Sequence, residues 1–221
     1  MSTAYDRRHA KRYALSLEAL RPHLHAGMTV LECGARSSFA DTLESTSAVR
    51  VVDTGIHDLR DAAFASFAWR YPQSVDAVLC MEVFEHLHDL PPTSGIPTEW
   101  AGTGATSMLR TIRSMLKPGG LLFLTTPNAC SLDVLHKVLT HQPPMVYRPH
   151  VREYAPHELA ALVRDAGFES IEVTTHDCWD NDCMPAGMPA KLRDAIGRLG
   201  FRTDARGQDI FLTARKPVAK K

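Results

Sequence analysis

The stretch that decides the fold is Val75-Asp-Ala-Val-Leu-Cys-Met81, continued by Glu82-Val-Phe-Glu-His-Leu-His-Asp89. Its first seven residues are apolar apart from Asp76, which predicts a strand covered by helices on both faces, as in a parallel sheet. A proline-rich crossing, a helix over Thr106 to Leu116, the turn Lys117-Pro-Gly-Gly120 and a second strand, Leu121 to Thr126, follow. Strand, crossover helix and strand make a βαβ unit, whose handedness is close to fixed. The carboxylates and imidazoles at 82 to 88 then fall at the carboxyl end of the first strand, where open α/β sheets hold their ligands.

Upstream, Met28 to Cys33 is a short apolar strand, followed by a turn at Gly34 and a helix from Phe39 to about Ser45, capped by Ser37 or Ser38. Ala48 to Val52 is a second strand, ending at Asp53, 19 positions after Gly34. This is the plan of a nucleoside-cofactor half-site: the carboxylate takes ribose hydroxyls and the turn brings backbone N–H groups to the ligand. With Gly34 as its only glycine, the turn does not provide a pyrophosphate cradle. The interval from Thr54 to Ser74 holds a helix, Arg60 to Tyr71, but not another full strand, so the sheet is expected to be shortened there.

Residues 5 to 25 carry Tyr13, Leu17, Leu20 and Leu24 at helical spacing, an amphipathic helix for the domain edge that Pro22 ends or kinks. Beyond the βαβ unit come a short helix and proline-broken loop in 130–149, a helix from Pro156 to Gly167 and another over Ala190 to Leu199. Ile171 to Thr175 and Ile210 to Thr213 are strands whose pairing is left open, and Lys216 to Lys221 is a frayed basic end. The expected architecture is a doubly wound, mostly parallel α/β sheet. Residues 1–25 form an amino-terminal helix, and 26–221 form the domain, with 90–104 and 130–149 on the acceptor side.

Lysine plus arginine equals aspartate plus glutamate at 25 each, so no global charge draws the chain to nucleic acid or an anionic membrane. No apolar run approaches the roughly 20 residues of a membrane span, and the start lacks the apolar core of a secretion signal. A soluble cytoplasmic protein is expected. Five cysteines without a CxxC pair do not suggest structural zinc.

Several stretches together resemble class I S-adenosylmethionine-dependent methyltransferases: Val30-Leu-Glu-Cys-Gly34, Asp53, Asp76 to His86, Leu116-Lys-Pro-Gly-Gly-Leu-Leu-Phe-Leu-Thr-Thr-Pro-Asn128 and His150-Val-Arg-Glu-Tyr154. In the cofactor loop Glu32 and Gly34 match the family pattern, while Arg36 and Ser38 replace its later glycines. The resemblance implies S-adenosylmethionine as cofactor, Glu32 near its amino acid end, Asp53 on the ribose hydroxyls, and Met81 and Glu82 beside the sulfonium. Arg36 is a candidate partner for the cofactor carboxylate or an anionic acceptor, or a residue that fills the pocket.

A hydroxyl acceptor also needs a proton acceptor, for which His86, with Glu85, is the candidate. Trp100, Tyr147, His150 and Trp179 are candidate acceptor contacts. Proline-rich apolar lids with few cations favour a small molecule such as a sugar, a phenol or another secondary metabolite over a polyanion; an amine is also open. No metal is expected. As an alternative, Glu82, Glu85 and His86 would share one side of a helical turn and, together with His150, hold a divalent cation. That set is similar to the metal site of small-RNA 3′-terminal 2′-O-methyltransferases. A non-catalytic, methyltransferase-like binding domain is the third reading, and oligomeric state is left open.

Overall fold

The structure, a computed structural model, describes residues 4–55, 59, 71–88, 104–179 and 184–218. The helix expected over Arg60 to Tyr71, most of the 90–104 segment with Trp100, and Cys183 lie outside the described residues. The elements run α1 (Ala4–Leu20), β1 (Thr29–Glu32), α2 (Ser38–Ser47), β2 (Arg50–Asp53), β3 (Val75–Met81) and a 3₁₀ turn (Phe84–His86). They continue with α3 (Gly104–Met115), β4 (Leu116–Pro127), α4 (Leu132–Leu139), α5 (Pro156–Asp165), β5 (Glu169–His176), α6 (Met188–Arg198) and β6 (Asp209–Arg215).

Six strands form one sheet in the order β2-β1-β3-β4-β6-β5. β2, β1, β3 and β4 are mutually parallel, and β6 runs antiparallel to both β4 and β5. The sheet is therefore mostly parallel, and the pairing left open by sequence is antiparallel, with α6 carried in the long connection between β5 and β6. The interval after Asp53 expected to be shortened lies mostly outside the described residues.

Alternation along β3 divides the core. Val78 and Cys80 pack with Met108, Leu109 and Ile112 of α3 and Leu159 and Val163 of α5. Ala77 and Leu79 face Leu20 of α1 and Phe39 and Leu43 of α2. Successive side chains of a strand point to opposite faces, so a nearly continuous apolar strand requires cover on both.

Local chemistry sets the element ends. Ser37 caps α2, its hydroxyl accepting the Ala40 N–H, and Ser131 caps α4 by accepting the Val134 N–H. Pro156 opens α5. At Lys117-Pro-Gly-Gly120 the β3–β4 register jumps, Val75 pairing with Leu116 and Ala77 with Leu121. A Cβ on Gly120 would lie 2.8 Å from the Lys117 carbonyl oxygen, which is why glycine stands at that bulge. Lys216, expected in a frayed end, is anchored instead: its N–H donates to Gly120 O and its Nζ to Leu116 O.

Candidate active site

The chain leaves β1 for β2 on one side and returns to β3 on the other, so β1 and β3 flank the topological switch point. At their carboxyl ends lies a cleft of about 440 Å³ whose lining includes Arg12, Glu32, Gly34, Arg36, Met81 and Val83. That volume is in the range of small-molecule and cofactor sites. Gly34 has φ +109, and open space lies where its Cβ would project, so the turn presents bare backbone to the cleft.

Glu32 and Asp53 are register partners across β1 and β2. Glu32 is nearly buried and folds back on the turn, accepting from the Ser37 hydroxyl and from the Ser37 N–H at 3.0 Å. Burial pushes its carboxyl up, against the Ser37 hydrogen bonds. Asp53 accepts the Gly55 N–H at 3.0 Å through one oxygen. Arg36 departs from expectation: its guanidinium is held by Asp41, Glu44 and the Val51 carbonyl, all on α2 and β2. It forms part of the cleft wall with its charge already paired, because the helix that follows supplies carboxylates within its reach.

Glu82 also departs from expectation. Its φ is +54, a left-handed conformation that costs a residue with a Cβ about 1–3 kcal/mol. The backbone is thus not helical at 82, the 3₁₀ turn begins only at Phe84, and Glu82 does not share a face with Glu85 and His86. It turns toward α1, pairing with Arg12 Nη1 at 3.0 Å and accepting the Thr125 hydroxyl at 2.8 Å. Arg12 is 2% exposed, and Asp209 of β6 is fully buried close by, its carboxyl pushed up by burial first and by Glu82 second. Sequence reading gave no role to Arg12 or Asp209. The available signal was the spacing Arg12, Ser16, Leu20 on one face of α1, all three buried.

The 3₁₀ turn gathers a second group. Glu85 is fully buried; its Oε2 accepts the Thr126 hydroxyl at 2.8 Å, while its Oε1 has no hydrogen-bond partner among the described residues. Facing that oxygen are His86 Nε2 at 3.9 Å and His150 Nε2 at 4.0 Å, and the two rings meet edge-on at 4.9 Å. Burial, then the Glu82 charge, pushes the Glu85 carboxyl well above the usual carboxylate range. Burial, then His150, lowers the His86 imidazole, favouring its neutral form. One donor atom from each of Glu85, His86 and His150 lies within 4.8 Å of the others, so the metal-capable set among the described residues has three members and omits Glu82.

Among the expected acceptor contacts, Tyr147 is 58% exposed and stands edge-on to His150 at 5.4 Å. Trp179 is occupied elsewhere: its indole N–H donates to His9 Nδ1 at 3.2 Å and its backbone N–H to Gln208, so it fastens α1 to the sheet. Of the nearby cations, Arg152 is paired with Glu158 and Lys137 donates to the Met145 carbonyl.

A family model described as a methyltransferase domain matches residues 5–173. The chain belongs to that methyltransferase family. The expectation of an S-adenosylmethionine-dependent methyltransferase fold is met. The chain is similar to the ubiquinone biosynthesis O-methyltransferase of Xanthomonas euvesicatoria, at 29% identity over 150 residues covering 64% of this chain and 56% of the relative. It resembles the protein of the same name from Cupriavidus pinatubonensis at 28% identity over 142 residues, 58% of this chain and 50% of that one. The matches thus span about half the length of these curated relatives. In fold it is similar to a SAM dependent methyltransferase from Archaeoglobus fulgidus, with TM-score 0.61, 15% identity, and coverage of 96% of this chain and 98% of that one. No helix among the described residues is long and apolar enough to cross a membrane.

Proposed function

We propose that this methyltransferase domain transfers the methyl group of S-adenosylmethionine to a hydroxyl of a small molecule, a ring hydroxyl foremost. The observation that carries the reading is the group Glu85, His86 and His150, a buried carboxyl facing an exposed imidazole and a mostly enclosed one, set after the strand whose end, Met81, lines the cleft. The name O-methyltransferase, borne by its relatives, agrees with a hydroxyl acceptor.

The cleft suits the cofactor in volume and in the bare backbone at Gly34, with Glu32 and Met81 in its lining and Asp53 beside Glu32 on the neighbouring strand. When bound, S-adenosylmethionine supplies an electrophilic methyl group on a sulfonium. The chain's own part is to hold the acceptor oxygen in line, keep water out and take up the hydroxyl proton. His86 Nε2 is the proton acceptor in this reading. The Glu85 carboxyl, pinned by Thr126, lies 3.9 Å from that nitrogen. Tyr147 stands at the mouth beside His150, suited to an aromatic or sugar ring.

Incubating the protein with S-adenosylmethionine and either catechol or glucose, and following S-adenosylhomocysteine and methylated product, tests the reading. An O-methylated catechol supports it. Methylation of an amine probe with no product from either hydroxyl compound would reject it.

A second reading is favoured by the unpaired Glu85 Oε1 facing two imidazole nitrogens. That donor set fits a divalent cation. Glu85, His86 and His150 would hold it, orienting an acceptor with adjacent hydroxyls such as the 3′-terminal ribose of an RNA. Transfer that stops with EDTA and returns with Mn²⁺ supports this version, and transfer indifferent to EDTA removes it.

A further inference from the structure

The residue that decides how His150 faces the site lies three positions later. His150 Nδ1 is 3.0 Å from Glu153 Oε1, and both side chains are almost fully buried, at 6% and 3% exposure. The same Glu153 oxygen accepts the Val146 N–H at 2.5 Å, and its other oxygen is buried with no hydrogen-bond partner among the described residues. Placing a carboxylate there, half satisfied and away from water, carries a desolvation cost that one loop hydrogen bond does not offset.

The surrounding backbone brings the pair against the site. The Val151 and Arg152 N–H groups donate to the Glu85 carbonyl at 2.8 and 3.3 Å, so 150–153 is docked on the 3₁₀ turn. Beyond it, Tyr154 bridges to Asn128, and its ring meets Phe84 edge-on at 6.0 Å. With both ends of the segment fastened, the remaining freedom of His150 is rotation of its ring and the choice of protonated nitrogen.

We infer that Glu153 is the positioning residue of the site: it accepts the Nδ1–H of His150, selects that tautomer, and turns the Nε2 lone pair toward Glu85 and His86. An ionised carboxylate has only acceptor oxygens, so in the pair of Glu153 and His150 the ring Nδ1–H is the donor. Nε2 then faces the site as an acceptor, able to receive an acceptor hydroxyl or to bind a cation; an Nε2–H tautomer would do neither. The role deepens the hydroxyl-transfer reading and rests on it for its consequence in catalysis, but not for its geometry. Partners in this position commonly change activity or metal affinity by 10- to 100-fold.

The test uses the full chain labelled with ¹⁵N-histidine at pH 8, the His150 resonances being assigned by their loss in His150→Gln. The expected result is a protonated Nδ1 and bare Nε2 in the wild type and in Glu153→Gln, whose amide oxygen still accepts. In Glu153→Leu the population should move to Nε2–H. With catechol as probe, Glu153→Leu should lower kcat by about 10-fold or more while leaving KM for S-adenosylmethionine unchanged, and Glu153→Gln should recover most of the rate. An Nε2–H wild type overturns the inference, as does a folded Glu153→Leu that keeps the wild-type tautomer. Should Glu153→Leu fail to fold, the wild-type and Glu153→Gln spectra decide. A wild type that shows the Nδ1–H tautomer but methylates no hydroxyl probe would sink the hydroxyl-transfer reading and leave the positioning role standing.

Discussion

Arg12 of the amino-terminal helix lies 3.0 Å from Glu82, the residue that follows the central strand. Arg12 is almost wholly enclosed, and its charge also reaches the buried carboxyls of Asp209 and Glu85. Through this pair α1 becomes part of the cleft wall and holds Glu82 in its left-handed conformation.

Breaking that pair from one side leaves a desolvated carboxylate behind. Arg12→Met is expected to destabilise the protein by roughly 3–5 kcal/mol, and the double variant Arg12→Met/Glu82→Gln to recover a substantial part of it. Urea unfolding followed by circular dichroism measures both. A double variant no more stable than Arg12→Met would mean that the contact is not what the arginine is there for.

Arg36 is expected to be indifferent to the cofactor, since its guanidinium is already shared between Asp41 and Glu44 at the surface. Arg36→Ala should change S-adenosylhomocysteine affinity less than threefold and cost no more than about 1 kcal/mol of stability. Calorimetric titration decides it: a tenfold loss of affinity would place the side chain on the ligand.

His86→Gln should leave cofactor affinity nearly unchanged while methyl transfer to the hydroxyl probe falls by roughly 10²-fold. Equal losses in binding and rate would make His86 a structural residue of the 3₁₀ turn. Glu85→Gln replaces the buried carboxyl that faces His86 and should lower the rate without abolishing it, measured in the same assay.

The contact between α1 and Trp179 should be sensitive to acid. His9 accepts the Trp179 indole N–H at 3.2 Å and must be neutral to do so. Burial first, then Arg12 and Arg8, lower its pKa from 6.5 to about 4. The unfolded chain therefore binds the extra proton first as pH falls, and the stability His9 provides is full above about pH 6.5 and gone below about pH 4. Thermal melts of wild type and His9→Asn should differ most at pH 7.5 and converge toward pH 4. A gap that does not narrow in acid would rule out this linkage.

The chain's own letters determined the layered α/β architecture. Apolar runs at Val75 to Met81 and Leu121 to Thr126, the caps at Ser37 and Ser131, Pro156 and the turn Lys117-Pro-Gly-Gly120 act over a few residues, where periodicity and backbone chemistry are decisive. The same local rules brought Glu85 and His86 together as neighbours. Only the tertiary structure decided that Glu82 leaves that pair, because its left-handed backbone and its partner Arg12, 70 positions away, depend on how α1 lies across the sheet. It likewise decided that Trp179 fastens a helix, that Arg36 is paired, and that Glu153 stands behind His150 in front of Glu85. Each of those groups has several partners of suitable charge or shape in the chain. The choice among them falls to burial, which makes an unpaired polar group costly and so selects the one arrangement in which most of them are paired.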